Sequence, residues 1–375
     1  MSERLSVCKL AEEGHYSIAQ LARDFGISRK TVYKWIGRYR LEGETGIFDQ
    51  SKRPDHSPGA TSEEIVKAIL ELKDKYGNWG PRKIRKLLVN KVGDHAPSIS
   101  TVGRILSQHS PPQPRYSNAR QEAFCRFERA LPNDLWQIDF TSPIILPSGG
   151  RGWPVPILDD RSRYCTGLIC APDCSTVSAL RCFREAAGRY GMPTEMLSDH
   201  GSAFGVSRES VSVFTAYLWA LQIEHTQGRY AHPQTQGKLE RFNQTLQKEC
   251  IRRHTFSSLS DWDKCFEEFR YTYNYIRPHE SLCDQVPASC YNQSERAFVE
   301  PDRDYREPGE GLLHRRVDVS GRIWILQHRV HVGAGLAGWM VSAVHEGGGI
   351  WTIRYRGRSI CQASLTKPAA YKPRP

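Results

Sequence analysis

The sequence predicts a multidomain protein: two all-α modules, then an α/β core, then a small all-β domain. Three observations carry this. Residues 4–109 hold short amphipathic segments that open on Ser or Thr and close near Gly or Pro, the punctuation of short helices. Between residues 135 and 200, apolar runs of strand length stop at aspartates. Beyond residue 312, five short β-rich segments follow one another at turn-marked intervals.

The first module is expected over 1–50. Leu5, Val7, Cys8 and Leu10 start one helix, Ser17 caps a second through Phe25, and Gly26-Ile27 makes a tight turn before Ser28 caps a third. Val32, Trp35, Ile36 and Tyr39 form the inner side of that third helix, which leaves Arg29, Lys30, Tyr33 and Lys34 facing outward. This is a helix-turn-helix arrangement, in which the start of the last helix enters the major groove of double-stranded DNA. Residues 51–60 form a linker rich in Pro and polar residues.

A second helix-turn-helix module is expected over 61–109. Its helices begin at Thr61-Ser62-Glu63-Glu64, at Gly80-Pro81 and at Ser98, and Arg82, Lys83 and Arg85 are its candidate DNA contacts. Residues 110–131, with several prolines and arginines, form a connector.

The core is expected over 132–295. Leu135-Trp136-Gln137-Ile138-Asp139 alternates as a half-buried strand does, and Met196-Leu197-Ser198-Asp199 is a second apolar segment ending on an aspartate. Between them, Trp153–Cys170 reads as two strands around a turn, with Asp159-Asp160 at the hairpin tip in a structural role, and Ser175 caps a helix. From Lys238 the pattern is helical, with Leu239, Phe242, Leu246 and Cys250 on one stripe and Glu240 on the polar side with Asn243, Gln244 and Gln247. Two strand ends and a helix start thus carry Asp139, Asp199 and Glu240, 60 and 41 positions apart. Carboxylates brought together repel, so a convergence of the three calls for divalent metal.

The wording around these residues resembles the DDE transposase and retroviral-type integrase family. The matching stretches are Trp136-Gln137-Ile138-Asp139-Phe140, Ser198-Asp199-His200-Gly201-Ser202 and His232-Pro233-Gln234-Thr235-Gln236-Gly237-Lys238-Leu239-Glu240-Arg241-Phe242-Asn243, with Tyr273–Leu282 as a further signature of bacterial insertion-sequence transposases. The resemblance implies a ribonuclease H-like core with Asp139, Asp199 and Glu240 as catalytic residues and metal ligands. It implies two Mg²⁺ ions, with Mn²⁺ able to substitute, and a chain that binds element ends and target DNA as a homo-oligomer. Lys238 and Arg241, flanking Glu240, are candidates to grip phosphate. After a linker over 296–312, the β-rich segment 313–375 resembles the SH3-like C-terminal barrel of integrases. Two departures stand out: the Asp199–Glu240 interval is lengthened around 205–212, and His200 stands where asparagine is common.

The net charge of +11 divides unevenly: +2 over 1–60, +6 over 61–130, −3 over 131–295 and +6 over 296–375. Cationic flanks around an acidic core suit modules that hold polyanionic DNA while the core holds metal. No segment approaches the roughly 20 apolar residues of a membrane span, and the N-terminus lacks a secretory pattern, so a cytoplasmic protein is expected, which the resemblance implies is bacterial and nucleoid-associated. The 11 cysteines include no Cys-x-x-Cys pair, which excludes a disulfide framework and a paired zinc module. Cys170, Cys174 and His200 are better read as packing than as a metal site. Two other functions remain: a DNA-binding regulator with an inactive core, and a ribonuclease H-type nuclease.

Overall fold

The structure, a computed structural model, describes residues 2–49, 60–109, 128–205, 211–228 and 237–365. Nearly all of the 51–60 linker, most of the 110–131 connector, residues 206–210 of the lengthened loop and the loop holding His232 and Pro233 lie outside the described residues. The chain divides into two compact units, residues 1–62 and 63–375.

In the first unit, α1 (Ser2–Glu12), α2 (Ile18–Asp24) and α3 (Arg29–Glu42) enclose Val7, Leu21, Val32 and Ile36. The expected caps are present: Ser17 Oγ accepts from Gln20 N and Ser28 Oγ from Thr31 N. Gly26 takes a φ of +61° in the turn, a conformation that costs glycine little. Trp35 and Tyr39 are half-buried, as expected of the inner side of α3.

The second unit starts with α4 (Glu63–Tyr76), α5 (Pro81–Val92) and α6 (Ile99–His109) around Ile69, Trp79, Ile84, Leu88 and Val102. Next come β1 (Leu135–Ile138), β2 (Ile144–Ile145), β3 (Arg151–Asp159), β4 (Cys165–Ala171), α7 (Thr176–Tyr190), β5 (Glu195–Ser198), α8 (Val213–Ala220), β6 (Glu224–Gln227), α9 (Gly237–Glu249) and α10 (Leu259–Tyr271). The strands form one mixed sheet in the order β2-β3-β1-β5-β6, with β4 on β3. β1 runs antiparallel to β3 and parallel to β5, and β5 parallel to β6.

Two apolar layers account for the sandwich. Ala179, Phe183 and Ala187 of α7 and Phe214 and Leu218 of α8 pack with Trp136, Ile157 and Met196 in one layer. Leu239, Phe242 and Leu246 of α9 and Trp262, Phe266 and Phe269 of α10 pack with Leu158, Cys165 and Leu168 in the other. The sequence reading did not resolve α8 and β6. Val213-Phe214-Thr215-Ala216-Tyr217-Leu218-Trp219-Ala220 is apolar on nearly every side, so it shows neither helical nor strand period.

The C-terminal part is β-rich. β7 (Leu313–Arg316), β8 (Arg322–Ile325), β9 (His328–His331), β10 (Met340–Gly347), β11 (Ile350–Tyr355) and β12 (Arg358–Ser364) make a four-stranded antiparallel sheet, β12-β11-β10-β7, and a two-stranded ribbon, β8-β9. The sequence reading did not include β12. This part shares the α7–α8 core, and Tyr355 Oη donates to the Ala216 carbonyl at 3.1 Å.

Candidate active site

Register brings the two aspartates together. Trp136 lies beside Met196 and Gln137 beside Leu197 on parallel β1 and β5, so Asp139 and Asp199 leave neighbouring strands two residues further on, in step. Asp199 Oδ1 accepts from Gly201 N at 2.8 Å, and a Cβ at position 201 would stand 2.9 Å from that oxygen. A side chain at 201 would crowd the Asp199 carboxylate. Asp139 Oδ1 accepts from Phe140 N at 2.7 Å. Burial, and then the charge of Asp199, push the Asp139 carboxyl up to about 7, only partly opposed by that N–H. Like charges held side by side in a half-buried site invite a cation.

A cleft of about 390 Å³ opens beside Asp139 and is walled by the polar face of α9, including Glu240, Asn243 and Gln247, and by Arg252 just beyond the helix. Asn243 Oδ1 is buried with no hydrogen-bond partner among the described residues. The oxygen donors present, two paired carboxylates with a third carboxylate and an amide on the cleft wall, are of the hard type that suits Mg²⁺ or Mn²⁺.

Glu240 lines the cleft that opens beside Asp139. Among the described residues, no group of three or more Asp, Glu, His or Cys side chains is gathered so as to hold a metal ion. The start of α9 is held within the protein. Lys238, expected to grip phosphate, is instead tied into the protein: its Nζ lies 2.6 Å from Asp160 Oδ1 and 3.1 Å from the Asp160 carbonyl. Asp160 is fully buried, also accepts from Gln137 Nε2 and Arg129 N, and donates its own N–H to Leu135 at the beginning of β1. The first turn of α9 is thereby tied to the β3–β4 turn and, through Asp160, to Gln137 of β1.

The doublet Asp159-Asp160 has the structural role expected. Asp159 accepts from Asn133 N, Ser162 N and Ser162 Oγ and closes the β3–β4 turn.

Of the candidate DNA contacts, Arg29, Lys30, Tyr33 and Lys34 are all exposed on the first turns of α3, and Arg241 is exposed on α9. Arg82, Lys83 and Arg85 of α5 make contacts within the protein. Arg82 donates to Asp284 at 2.9 Å and Glu280 at 3.1 Å, and Arg85 Nε donates to the Pro97 carbonyl. Lys83 lies 3.8 Å from Glu249, and burial pushes its ammonium down to about 8. Acidic side chains from the end of α9 and the segment after α10 meet α5, which is why these cations face protein. Cys170 is packed in the α9–α10 layer and belongs to no metal cluster among the described residues.

Sequence reasoning missed several supporting residues. Glu249 receives Trp79 Nε1 at 2.9 Å and Arg277 at 3.1 Å. His225, behind Asp199, is hydrogen-bonded to Ser198 Oγ at 2.9 Å and Thr215 Oγ1 at 2.8 Å. No local pattern marks either one; both matter only through partners distant in the chain.

A mixed sheet that offers two aspartates at adjoining parallel strand ends, after helix-turn-helix modules, is the build of an integrase-core protein. Models of an integrase core domain match residues 129–233 and 221–287, a helix-turn-helix domain matches 3–55 and a homeodomain-like domain matches 31–106. The transposase of transposon Tn552 from Staphylococcus aureus is 24% identical over 78% of this chain and 67% of its own length. An uncharacterized 39.2 kDa protein of insertion element IS476 from Xanthomonas euvesicatoria is 29% identical over 64% of this chain and 68% of its own. Among solved structures, the HTLV-2 integrase catalytic core domain in complex with magnesium is 19% identical, covering 43% of this chain and 97% of that one, with a TM-score of 0.34. These matches support a place for residues 129–287 among the integrase cores of DDE transposases and integrases. Among the described residues, no helix is long and apolar enough to cross a membrane.

Proposed function

We propose that this chain is a DNA transposase that binds the terminal repeats of a mobile element, cleaves at the 3′ ends and transfers those ends into target DNA. The observation that carries the reading is the Asp139–Asp199 pair at neighbouring strand ends, with Glu240 on the adjoining cleft wall. Asp139, Asp199 and Glu240 are the proposed catalytic residues. The pair fits a hard divalent cation, Mg²⁺ or Mn²⁺; two such ions would stabilise the attacking and leaving oxygens of an in-line displacement at phosphorus.

The attacking oxygen is first that of water and then the freed 3′-hydroxyl, so no side chain serves as nucleophile. Arg29, Lys30, Tyr33 and Lys34 are the proposed readers of the element ends, and Arg241 is a phosphate contact near the cleft. The β-rich C-terminal part is proposed as an SH3-like module, and the chain as a homo-oligomer on DNA in the bacterial cytoplasm.

A second reading, a DNA-binding regulator with an inactive core, is favoured by one observation: the three carboxylates are not gathered. Strand transfer by the purified protein, with labelled element ends and Mg²⁺, separates the two. The transposase joins ends to target and Asp139→Asn abolishes joining with end binding retained, whereas the regulator binds and never joins.

A further inference from the structure

A chain of side-chain hydrogen bonds runs behind Asp199 and touches its loop at both ends. It links Ser198 Oγ to His225 Nε2 at 2.9 Å, His225 Nδ1 to Thr215 Oγ1 at 2.8 Å, Thr215 Oγ1 to Ser212 Oγ at 2.8 Å, and Ser212 Oγ to the Phe204 carbonyl at 2.6 Å. Ser198 directly precedes Asp199. At the other end, Phe204 N donates to the Gly201 carbonyl, and Gly201 N donates to the Asp199 carboxylate. Residues on either side of that carboxylate are thus joined through β6 and α8.

The supply of protons gives the chain one direction. A carbonyl only accepts, so Ser212 gives its hydroxyl proton to Phe204. Thr215 must then donate to Ser212, which leaves only lone pairs on Thr215 Oγ1 for His225, so Nδ1 carries a hydrogen. Burial pushes the imidazole down to about 4, so at neutral pH the ring is uncharged and Nε2 is bare. Ser198 has one proton for Nε2 or for the Asp199 carbonyl, each 2.9 Å away. Given to the carbonyl, it would leave two lone pairs facing each other; it therefore goes to His225. A file of rings backs the same residues: Phe214 meets His225 edge-on at 5.2 Å and Phe204 at 5.1 Å, and Phe204 lies 5.7 Å from Phe140, the residue after Asp139.

We propose that His225 is a positioning residue for Asp199: fixed as the tautomer with hydrogen on Nδ1, it ties Ser198 to the Phe204 carbonyl and so holds the Asp199 carboxylate in place beside Asp139. This rests on the proposed function, in which Asp199 holds metal. The test therefore has one arm that needs no metal.

In that arm, long-range nitrogen–proton NMR of the full chain with isotope-labelled histidine reads the tautomer, the His225 signals being those lost in His225→Phe. The wild type is expected to carry hydrogen on Nδ1. Thr215→Val, which removes the acceptor at nearly equal volume, is expected to move it to Nε2, and Thr215→Ser to leave it on Nδ1. Hydrogen on Nε2 in the wild type overturns the proposal, as does a tautomer that Thr215→Val leaves unmoved.

The second arm titrates the full chain with Mn²⁺ in the absence of DNA, with free Mn²⁺ read by electron paramagnetic resonance. His225→Phe, which keeps a ring against Phe214, and Thr215→Val both cut the chain, so one serves if the other fails to fold. Each is expected to bind Mn²⁺ about tenfold more weakly than wild type, the usual loss when a group that orients a metal ligand is removed. Thr215→Ser is expected to match wild type; a loss equal to that of Thr215→Val would trace the effect to packing and overturn the proposal. Binding that Asp199→Asn abolishes and the cut chain leaves unchanged overturns the proposal and leaves the metal reading standing. A wild type that binds no Mn²⁺ overturns both.

Discussion

Asn274 clamps the main chain of Cys165: its Oδ1 accepts from Cys165 N at 2.9 Å and its Nδ2 donates to the Cys165 carbonyl at 3.0 Å. Both residues are fully buried, and the clamp ties the π-helical turn after α10 to the first residue of β4. Asn274→Ala leaves two buried main-chain groups unpaired, a loss of about 3 kcal/mol at roughly 1–3 each. Urea unfolding is expected to show a lower midpoint with unchanged slope, and an unchanged midpoint would mean water replaces the amide. Asn274→Asp should be nearly as damaging, since an ionised carboxylate cannot donate to the carbonyl.

A second prediction sets two acidic residues against each other. Glu249 and Arg277 are each only 12% exposed where they pair, whereas Glu280 beside Arg82 is 81% exposed. Glu249→Ala strands a sheltered guanidinium and deprives Trp79 of its acceptor, costing about 3 kcal/mol. Glu280→Ala removes a solvated pair and costs under about 1 kcal/mol. Equal effects in paired denaturation curves would show that the α5–core contact does not depend on burial.

How much was legible in the sequence follows from where the information lies. Caps, turns and apolar stripes are local, so the three helices of the first unit, β1, β3, β4, β5 and the apolar stripe of α9 could all be read. The two aspartates could also be read, since each closes an apolar strand segment, and parallel pairing of β1 with β5 then sets them side by side. The engagement of Lys238 could not, because its partner Asp160 lies 78 residues earlier in the chain. The partners of Arg82 and Lys83 could not be read for the same reason: a basic helix start looks alike in sequence whether it meets phosphate or the carboxylates of Glu249, Glu280 and Asp284. The Tyr273–Leu282 signature, carried by resemblance alone, has structural duties here in Asn274, Tyr275 and Arg277.

For DNA binding, the exposed start of α3 and the engaged start of α5 make opposite predictions. Arg29→Ala with Lys34→Ala is expected to weaken binding to element ends about tenfold at moderate salt and to lower the slope of log K against log salt by about 2. Arg82→Ala is expected to change affinity less than about twofold, because its guanidinium already faces Asp284 and Glu280. Fluorescence anisotropy over a salt series measures both. Arg82→Ala as the more damaging change would return DNA reading to α5.

The last prediction concerns acid. His279 is 7% exposed, and burial, together with the nearby Arg277 charge, pushes its imidazole down to about 3. Its Nε2 has no hydrogen-bond partner among the described residues, and the ring's hydrogen bond to the Tyr273 main chain only partly offsets the burial. The unfolded chain takes up a proton near pH 6.5 and the folded chain does not, so the unfolded state gains protons first as pH falls. Stability contributed by the neutral ring is fully present above about pH 6.5 and declines by about 1.4 kcal/mol per unit toward pH 3. Between pH 7 and pH 5 the wild type should therefore lose about 2 kcal/mol more than His279→Gln, which has no proton to gain. Urea midpoints for both proteins at the two pH values measure the difference. Parallel losses would show that the ring is protonated in the folded state, with an acceptor or water at Nε2.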